Sequence, residues 1–317
     1  MALLAPHLAA HPDDVRGLCL AAQAHLGLDR ADLALKVAGQ AAALAPDDDW
    51  ALRLVSVASV RRRLFEQARA AANAAIRVAP HEWRCHLQRA NVDVADEEIS
   101  ARTFAAARKG IELAPNEPEA HFVLGRVALA VGALPTAEAS FRATLRLNPD
   151  HAIARHELAR VHLQQRKLGK AAVGFADAVA LDPDLSVGLH NLTMVVARAL
   201  RIAHLITWAA LMAAVIPPLR LSAFGIATVA LVGFAGVVYV QGGRRGPRLF
   251  RSALRADRPL AAWAVALLIA YAGFGIAVSG RGRAVDAGLA MALGGLFVGV
   301  VASWWRAYRL RRRRRVA

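Results

Sequence analysis

Through the first two-thirds of the chain, apolar residues fall at i, i+3, i+4 and i+7 in short blocks, and the blocks come in pairs. That spacing predicts amphipathic helices, because it gathers side chains on one face of a 3.6-residue turn. Each block runs about a dozen residues, and short breaks within pairs hold Gly27 and Asp29, Gly132 and Pro135, or Gly169. Pro12, Pro46, Pro80, Pro115, Pro149 and Pro183 punctuate the pairs at spacings of 34, 34, 35, 34 and 34 residues. A fixed period of this size predicts a solenoid of helix–turn–helix units, each burying its apolar face only against its neighbours. The prolines close the apolar blocks, as in Leu44-Ala45-Pro46, Val78-Ala79-Pro80 and Leu113-Ala114-Pro115, and stop the helix before them. Asp47, Asn116, Asp150 and Asp184 directly follow prolines and are expected to cap the next helix.

Near residue 200 the pattern changes. Four stretches almost free of charge follow, Ile202–Leu219, Leu221–Val240, Pro259–Val278 and Ala287–Trp305, each long enough to cross a bilayer. Pro217, Pro218, Leu219 and Arg220 join the first two in a tight hairpin. No proline lies between Ser186 and Ile216, so the half-unit after Pro183 is expected to run into the first span as one helix of about 30 residues. A Gly/Ser/Pro-rich tether is absent there. The organisation is therefore an all-α chain: a repeat domain over 1–200, with about five units and a terminal half-unit, then a four-span membrane domain over 201–317.

Charge sharpens this division. The chain carries +16, but residues 201–317 hold 17 of the 40 Lys and Arg against only Asp257 and Asp286 of the 24 acids. The repeat half is thus close to neutral, which argues against a nucleic-acid partner. In the apolar half, Arg244, Arg245, Arg248, Arg251, Arg255 and Arg258 fill one loop, and Arg306, Arg309 and Arg311 to Arg315 fill the tail. The hairpin holds only Arg220, and the loop before the fourth span only Arg281 and Arg283. This alternation puts both termini and the repeats in the cytoplasm of a multi-pass cell-membrane protein. The Arg-rich loop and tail suit anionic lipid, and Arg248–Arg255 reads as a short amphipathic helix at the interface. Cys19 and Cys85 sit in helical patterns and read as buried thiols, and the N-terminal segment lacks a signal peptide's basic and apolar regions. Abundant Ala and Arg with only Lys36, Lys109, Lys167 and Lys170 point to a GC-rich bacterial genome.

The fourth unit has Leu124-Gly125 in its first helix, then Ala137, Phe141 and Pro149. The fifth has Leu158-Ala159, Ala171, Phe175, Ala178 and Pro183, and the first has Ala21-Ala22, Ala34, Ala41 and Pro46. Over about residues 7–200 the chain resembles the tetratricopeptide repeat, with its Leu-Gly, Ala, Phe and Pro anchors. The second unit keeps Ala68 and Ala75 but has Val55-Ser56 and Ser59 at first-helix anchors; the third has one extra residue and loses the alanine match. No unit has the family's first-helix Trp, Trp50 lying two positions early. The resemblance implies a superhelix with a concave groove lined by first helices. Its groove positions fall here on Arg53, Val57, Gln88, Arg89, Phe122, Arg126, His156, Arg160, His190 and Asn191. Arginines and amides interspersed with apolar spots imply an acidic or C-terminal peptide ligand.

Catalytic patterns are missing from the sequence. His81-Glu82-Trp83-Arg84-Cys85-His86 has its second histidine at i+5, not the i+4 that puts two zinc ligands on one helix face. Asp47-Asp48-Asp49 and Glu97-Glu98 fall at a helix start and a break, where capping and solvation account for them. No catalytic, metal or cofactor residues are assigned. In the spans, His204 and Asp286 are expected near the ends, and Gly295 and Gly299 form a GxxxG pair suited to close packing within the chain or between copies. The reading is a non-enzymatic, membrane-anchored scaffold; the alternative is a membrane-complex or transport component whose spans do the main work.

Overall fold

The structure is a computed structural model. It describes residues 4–182, 186–213, 220–242, 246–280 and 282–316, without the side chains of 186–190, 220, 221, 237, 238, 240–248, 252, 256 and 310–316. Among the described residues every regular element is an α-helix. After α1 (Leu4–Ala10) come five antiparallel pairs: α2 (Val15–Gly27) with α3 (Ala31–Leu44), α4 (Asp49–Arg61) with α5 (Phe65–Val78), α6 (Trp83–Ala95) with α7 (Ala101–Leu113), α8 (Pro118–Ala130) with α9 (Leu134–Leu147), and α10 (Ala152–Gln164) with α11 (Leu168–Leu181). Five further helices follow: α12 (Ser186–Ala213), α13 (Arg220–Gly242), α14 (Gly246–Ala256), α15 (Arg258–Ser279) and α16 (Arg283–Val316). Two compact units result, Met1–Glu157 and Leu158–Ala317.

The period survives in the backbone of every turn. Seventeen residues after each proline, Asp29, Arg63, Glu97, Gly132 and Arg166 adopt positive φ, from 56° to 73°. At each, the following N–H reaches back to a carbonyl of the first helix: Arg30 to His25, Leu64 to Ser59, Glu98 to Asp93, Ala133 to Ala128 and Lys167 to His162, at 2.8–3.0 Å. This is the Schellman closure, which satisfies a helix-end carbonyl by swinging one residue into the left-handed region. Helix starts differ from expectation by one position. The cap bonds come from the second residue after proline, not the first: Asp14 accepts from Arg16 N–H, Asp48 from Ala51 N–H and Glu82 from Arg84 N–H, while His151 Nδ1 accepts from Ala154 N–H at 3.2 Å. A proline-fixed turn needs one more residue before the chain reaches cap geometry. Asp184 lies outside the described residues.

Packing inside Met1–Glu157 follows the small-residue pattern. A Cβ on Gly125 would fall 2.6 Å from the Phe141 ring, so the glycine of α8 lets the aromatic of α9 lie flat against it. Ala34, Ala38 and Ala41 of α3, and Ala68, Ala72 and Ala75 of α5, are fully buried for the same reason. In the third pair the extra residue lengthens the turn before α7, and Thr103 takes the register position of Ala34, Ala68 and Ala137.

Within Leu158–Ala317, α12 runs unbroken for 28 residues, as expected, which is about 42 Å. Its Val195, Ala199 and Ile202 share a core with Leu168, Ala171 and Phe175, sealing the last repeat pair. Its Leu192, Val196 and Leu200 share another with Leu260, Trp263, Ala302 and Ala253 of α14–α16. Beyond these, Ala210 and Leu211 meet Ala223, Ala227, Phe274 and Leu296. Both α12 and Phe234 of α13 pack on this last pair, within Leu158–Ala317.

Three helical segments are long and apolar enough to cross a membrane: Asn191–Ala213, Arg258–Ser279 and Arg283–Arg309. Four were expected. The remaining one corresponds to α13, whose described apolar stretch, Ser222–Gly236, is too short to count by the same measure. The Pro217–Pro218 hairpin lies outside the described residues. Outward-facing side chains of these helices are large and apolar, among them Ile226, Val229, Leu268 and Phe297, about 70% exposed, while their contact faces are small. A Cβ on Gly273 would fall 2.6 Å from the Ala292 nitrogen, and one on Gly288 would strike the backbone at Ala277. Apolar outside and small inside is the pattern of helices packed in lipid.

Candidate functional site

On the first-helix face of Met1–Glu157, neighbouring helices are joined by side chains about one repeat apart. Gln88 on α6 is buried and donates from Nε2 to Ser56 Oγ on α4 at 2.9 Å, and Ser56 passes the bond on to the Ala68 carbonyl. Arg126 on α8 donates to Asn91 Oδ1 on α6 at 2.9 Å. The Cys85 thiol on α6 points at Asp49 Oδ2 on α4, 3.7 Å away. These links fix the register of successive first helices.

The predicted groove residues divide accordingly. Arg53 is half-buried and bonded to Asp49 at 2.8–2.9 Å, so its charge is matched one helical turn away. Arg89 turns toward the second helix, donating to Asn73 at 3.0 Å and pairing with Asp93. Arg126 has a neutral amide as partner, which leaves its positive charge available for an anion. Val57 is half-buried. Phe122 is only 7% exposed, tilted against Phe141 and His151 at 5.8 and 4.9 Å between ring centres. His156 is buried, its Nδ1 3.5 Å from Glu157. In the second unit Arg160 is exposed and Asn191 half-buried. The side chain of His190 lies outside the described residues. Within Met1–Glu157, Gln88, Phe122 and His156 are thus buried, and Arg126 is held by an amide.

Residues 122–186 match the family model described as tetratricopeptide repeat. Over that stretch the repeats are tetratricopeptide repeats. In fold, the chain is similar to TTC0263, a thermophilic tetratricopeptide protein of Thermus thermophilus (TM-score 0.51, 20% identity, 55% of this chain and 94% of that one). It is also similar to yeast Tom70 (0.50, 17%, 61% and 42%) and to the Cut9–Hcn1 structure of the APC/C (0.55, 14%, 80% and 45%). At these identities the likeness is one of fold. No curated protein matches the chain in sequence.

The tetratricopeptide array also contains a polar centre that its sequence did not announce. Asp93, 3% exposed, accepts from Thr103 Oγ1 at 2.8 Å and pairs with Arg69 and Arg89. Arg69 reaches three more carboxylates, Glu66, Asp96 and Glu98, at 2.7–2.9 Å. The signal for it was present as a departure: the third unit's extra residue and lost alanine are what admit the Asp93–Thr103 bond. Both thiols of the array are fully buried. Burial first, then Asp48, pushes Cys19 up to about 11; burial first, then Asp49, pushes Cys85 up to about 12. No group of His, Cys, Asp and Glu able to hold a metal occurs among the described residues.

The apolar bundle of Leu158–Ala317 holds two polar points. Arg306 of α16, 7% exposed, donates to Asp257 Oδ2 at 2.7 Å and to Thr193 Oγ1 of α12 at 3.3 Å. Asp257 caps α15 with its other oxygen, accepting from Leu260 N–H. His204 lies on the apolar segment Asn191–Ala213; it is 7% exposed and edge-on to Trp263, with no hydrogen-bond partner on either ring nitrogen or on Trp263 Nε1. Gly299 makes room for this pair, since a Cβ there would fall 2.9 Å from His204. Gly295 likewise packs on Ala266 and Ala270 of α15. The Gly295/Gly299 pair thus serves close contacts inside the chain.

Proposed function

We propose that the chain is a membrane-held adaptor whose tetratricopeptide array captures a segment of another protein while its apolar helices keep that event at a bilayer. The observation that carries this reading is Arg126, a groove-face cation held by an amide and not by a carboxylate. It suits an acidic segment or a C-terminal carboxylate. Anchoring would raise the effective concentration of two partners that meet on the same membrane. We further infer a multi-pass bacterial membrane protein with α13 as its fourth crossing, both termini in the cytoplasm and no enzymatic activity of its own. Two observations support that orientation. The α12 and α16 helices meet where Arg306 touches Thr193, so the repeat-proximal end of the bundle is also the tail end. That end carries exposed Arg251, Arg255, Arg258 and Arg309.

The test is crosslinking of the full-length protein in its membrane, wild type against Arg126→Glu with Arg160→Glu, read by mass spectrometry. A partner that crosslinks to wild type and is lost from the reversed pair is the expected result; unchanged crosslinking overturns the groove reading.

One observation favours the alternative, in which the spans do the main work: His204 is buried in the apolar bundle without a hydrogen-bond partner. Ionisable groups in such positions are commonly functional. Replacing residues 201–317 by a foreign anchor separates the two readings, because an adaptor keeps its partner and its cellular effect and a span-driven protein keeps neither.

A further inference from the structure

We propose that the outer face of the α15–α16 hairpin is a groove for one anionic phospholipid, with the acyl chain between the helices and the phosphate at their basic end. The proposal rests on reading these helices as spans. A trough of about 550 Å³ runs between them, lined by Ala262, Val265 and Ile269 on one side and Met291, Gly294 and Val298 on the other, all apolar. Gly294 keeps it open. Its neighbour Gly295 is needed for helix approach, since a Cβ there would fall 2.6 Å from the Ala270 nitrogen; a Cβ on Gly294 would meet nothing within 4 Å. Packing inside the chain thus gives no reason for the second glycine, and glycine is a poor helix former.

The charges at one end identify the occupant. On α15 the stripe through Ala262, Val265 and Ile269 continues one turn back to Arg258, which is exposed. On α16 the stripe through Met291, Gly294 and Val298 continues to Trp305 and Arg309, with the Arg309 guanidinium over the Trp305 ring at 4.9 Å. The Arg306–Asp257 bond brings these two helix ends together. It also engages the Asp257 carboxylate, which leaves the exposed Arg258 and Arg309 to face the trough's end. An apolar trough ending between two guanidinium groups and an indole matches a ligand with an apolar chain and an anionic head. Guanidinium groups bind phosphate oxygens in pairs, and indoles settle at headgroup depth. A second copy fits less well. A two-fold contact through this face would bring the Arg258 and Arg309 pairs of both copies to the same depth, where they repel.

The experiment uses the full-length protein, extracted from its membrane, with phosphatidylglycerol or phosphatidylcholine added in equal amounts and bound lipid counted by native mass spectrometry. The expected result is one retained phosphatidylglycerol, favoured over phosphatidylcholine by about tenfold or more. Arg258→Gln with Arg309→Gln removes the preference. Gly294→Leu, which fills the trough from a position with open space around it, removes retention of both lipids. Replacing Arg311–Arg315 with glutamine leaves the preference intact. The groove is overturned if no lipid preference is seen, if the preference survives the paired arginine change or Gly294→Leu, or if it follows the tail. A dimer that Gly294→Leu dissociates overturns it in favour of a second copy. Carbonate washing of the same membranes distinguishes the underlying failure: release of wild-type protein overturns the span reading and the groove together, whereas retention without lipid preference overturns the groove alone.

Discussion

At the scale of single residues, the repeat is held by positions whose side chains give little hint of their task. The left-handed residue of each turn is Asp29, Arg63, Glu97, Gly132 or Arg166, and glycine occupies the place once in five. A Cβ in that conformation costs roughly 1–2 kcal/mol, partly offset by the greater freedom glycine gives the unfolded chain. Glu97→Gly is therefore expected to raise stability by about 0.5 kcal/mol and Gly132→Ala to lower it by about 1 kcal/mol, in urea titrations of the full chain. The cap at His151 can be examined in the same way. Its Nδ1 accepts the Ala154 N–H, so His151→Ala should lose about 1 kcal/mol while His151→Asn, which keeps an acceptor, loses little. Cys19 and Cys85 carry a pH prediction. Their folded-state values, about 11 and about 12, lie above the ordinary 9.0. Their contribution to stability is complete below pH 9 and is lost as pH rises toward 11–12, because only the unfolded chain then gains thiolate. At pH 8 a thiol reagent should label neither residue in the native protein and both in denaturant. Sequence suggested buried thiols from their helical setting; it could not supply Asp48 and Asp49 as neighbours.

Elements show where local pattern and packing agree and where they part. Helix pairs, their proline stops and the continuous α12 were all readable, because each is written in spacing along one stretch of chain. The third pair was not. Its lost alanine is Thr103, and the bond to Asp93 makes sense only once α6 and α7 lie side by side. Removing the carboxylate by Asp93→Ala leaves Thr103 Oγ1 without its acceptor and Arg89 without its anion, and should cost about 3 kcal/mol, seen as an earlier urea midpoint. Between α15 and α16 the glycines take unequal roles that a GxxxG search cannot separate. Gly273, Gly288 and Gly295 meet the opposing backbone, whereas Gly294 meets nothing. Gly288→Leu should force the hairpin apart and abolish folding, while Gly294→Leu should leave thermal unfolding in detergent close to wild type.

For the whole molecule, the division of labour between a repeat array and an apolar bundle was legible from the sequence, since a 34-residue beat and uncharged stretches of span length are properties of the chain read in one dimension. Charge distribution added the orientation now proposed. Within the bundle, Arg306 ties α16 to Asp257 and to Thr193 of α12. Arg306→Met strands a buried carboxylate and should cost about 3 kcal/mol in detergent, with part regained in Arg306→Met/Asp257→Leu, where neither charge remains. Read as sequence, Arg306 was one more cation in a basic tail. Sequence alone determined helix positions, repeat period and the contrast between the two halves, because those follow from side-chain spacing within a few turns. Tertiary structure decided which groove arginines are matched, which glycines are free, and where the buried polar groups find partners. Those choices depend on side chains 32 residues apart for Gln88 and Ser56, and 113 for Arg306 and Thr193, distances over which hydrophobic pattern carries no pairing information.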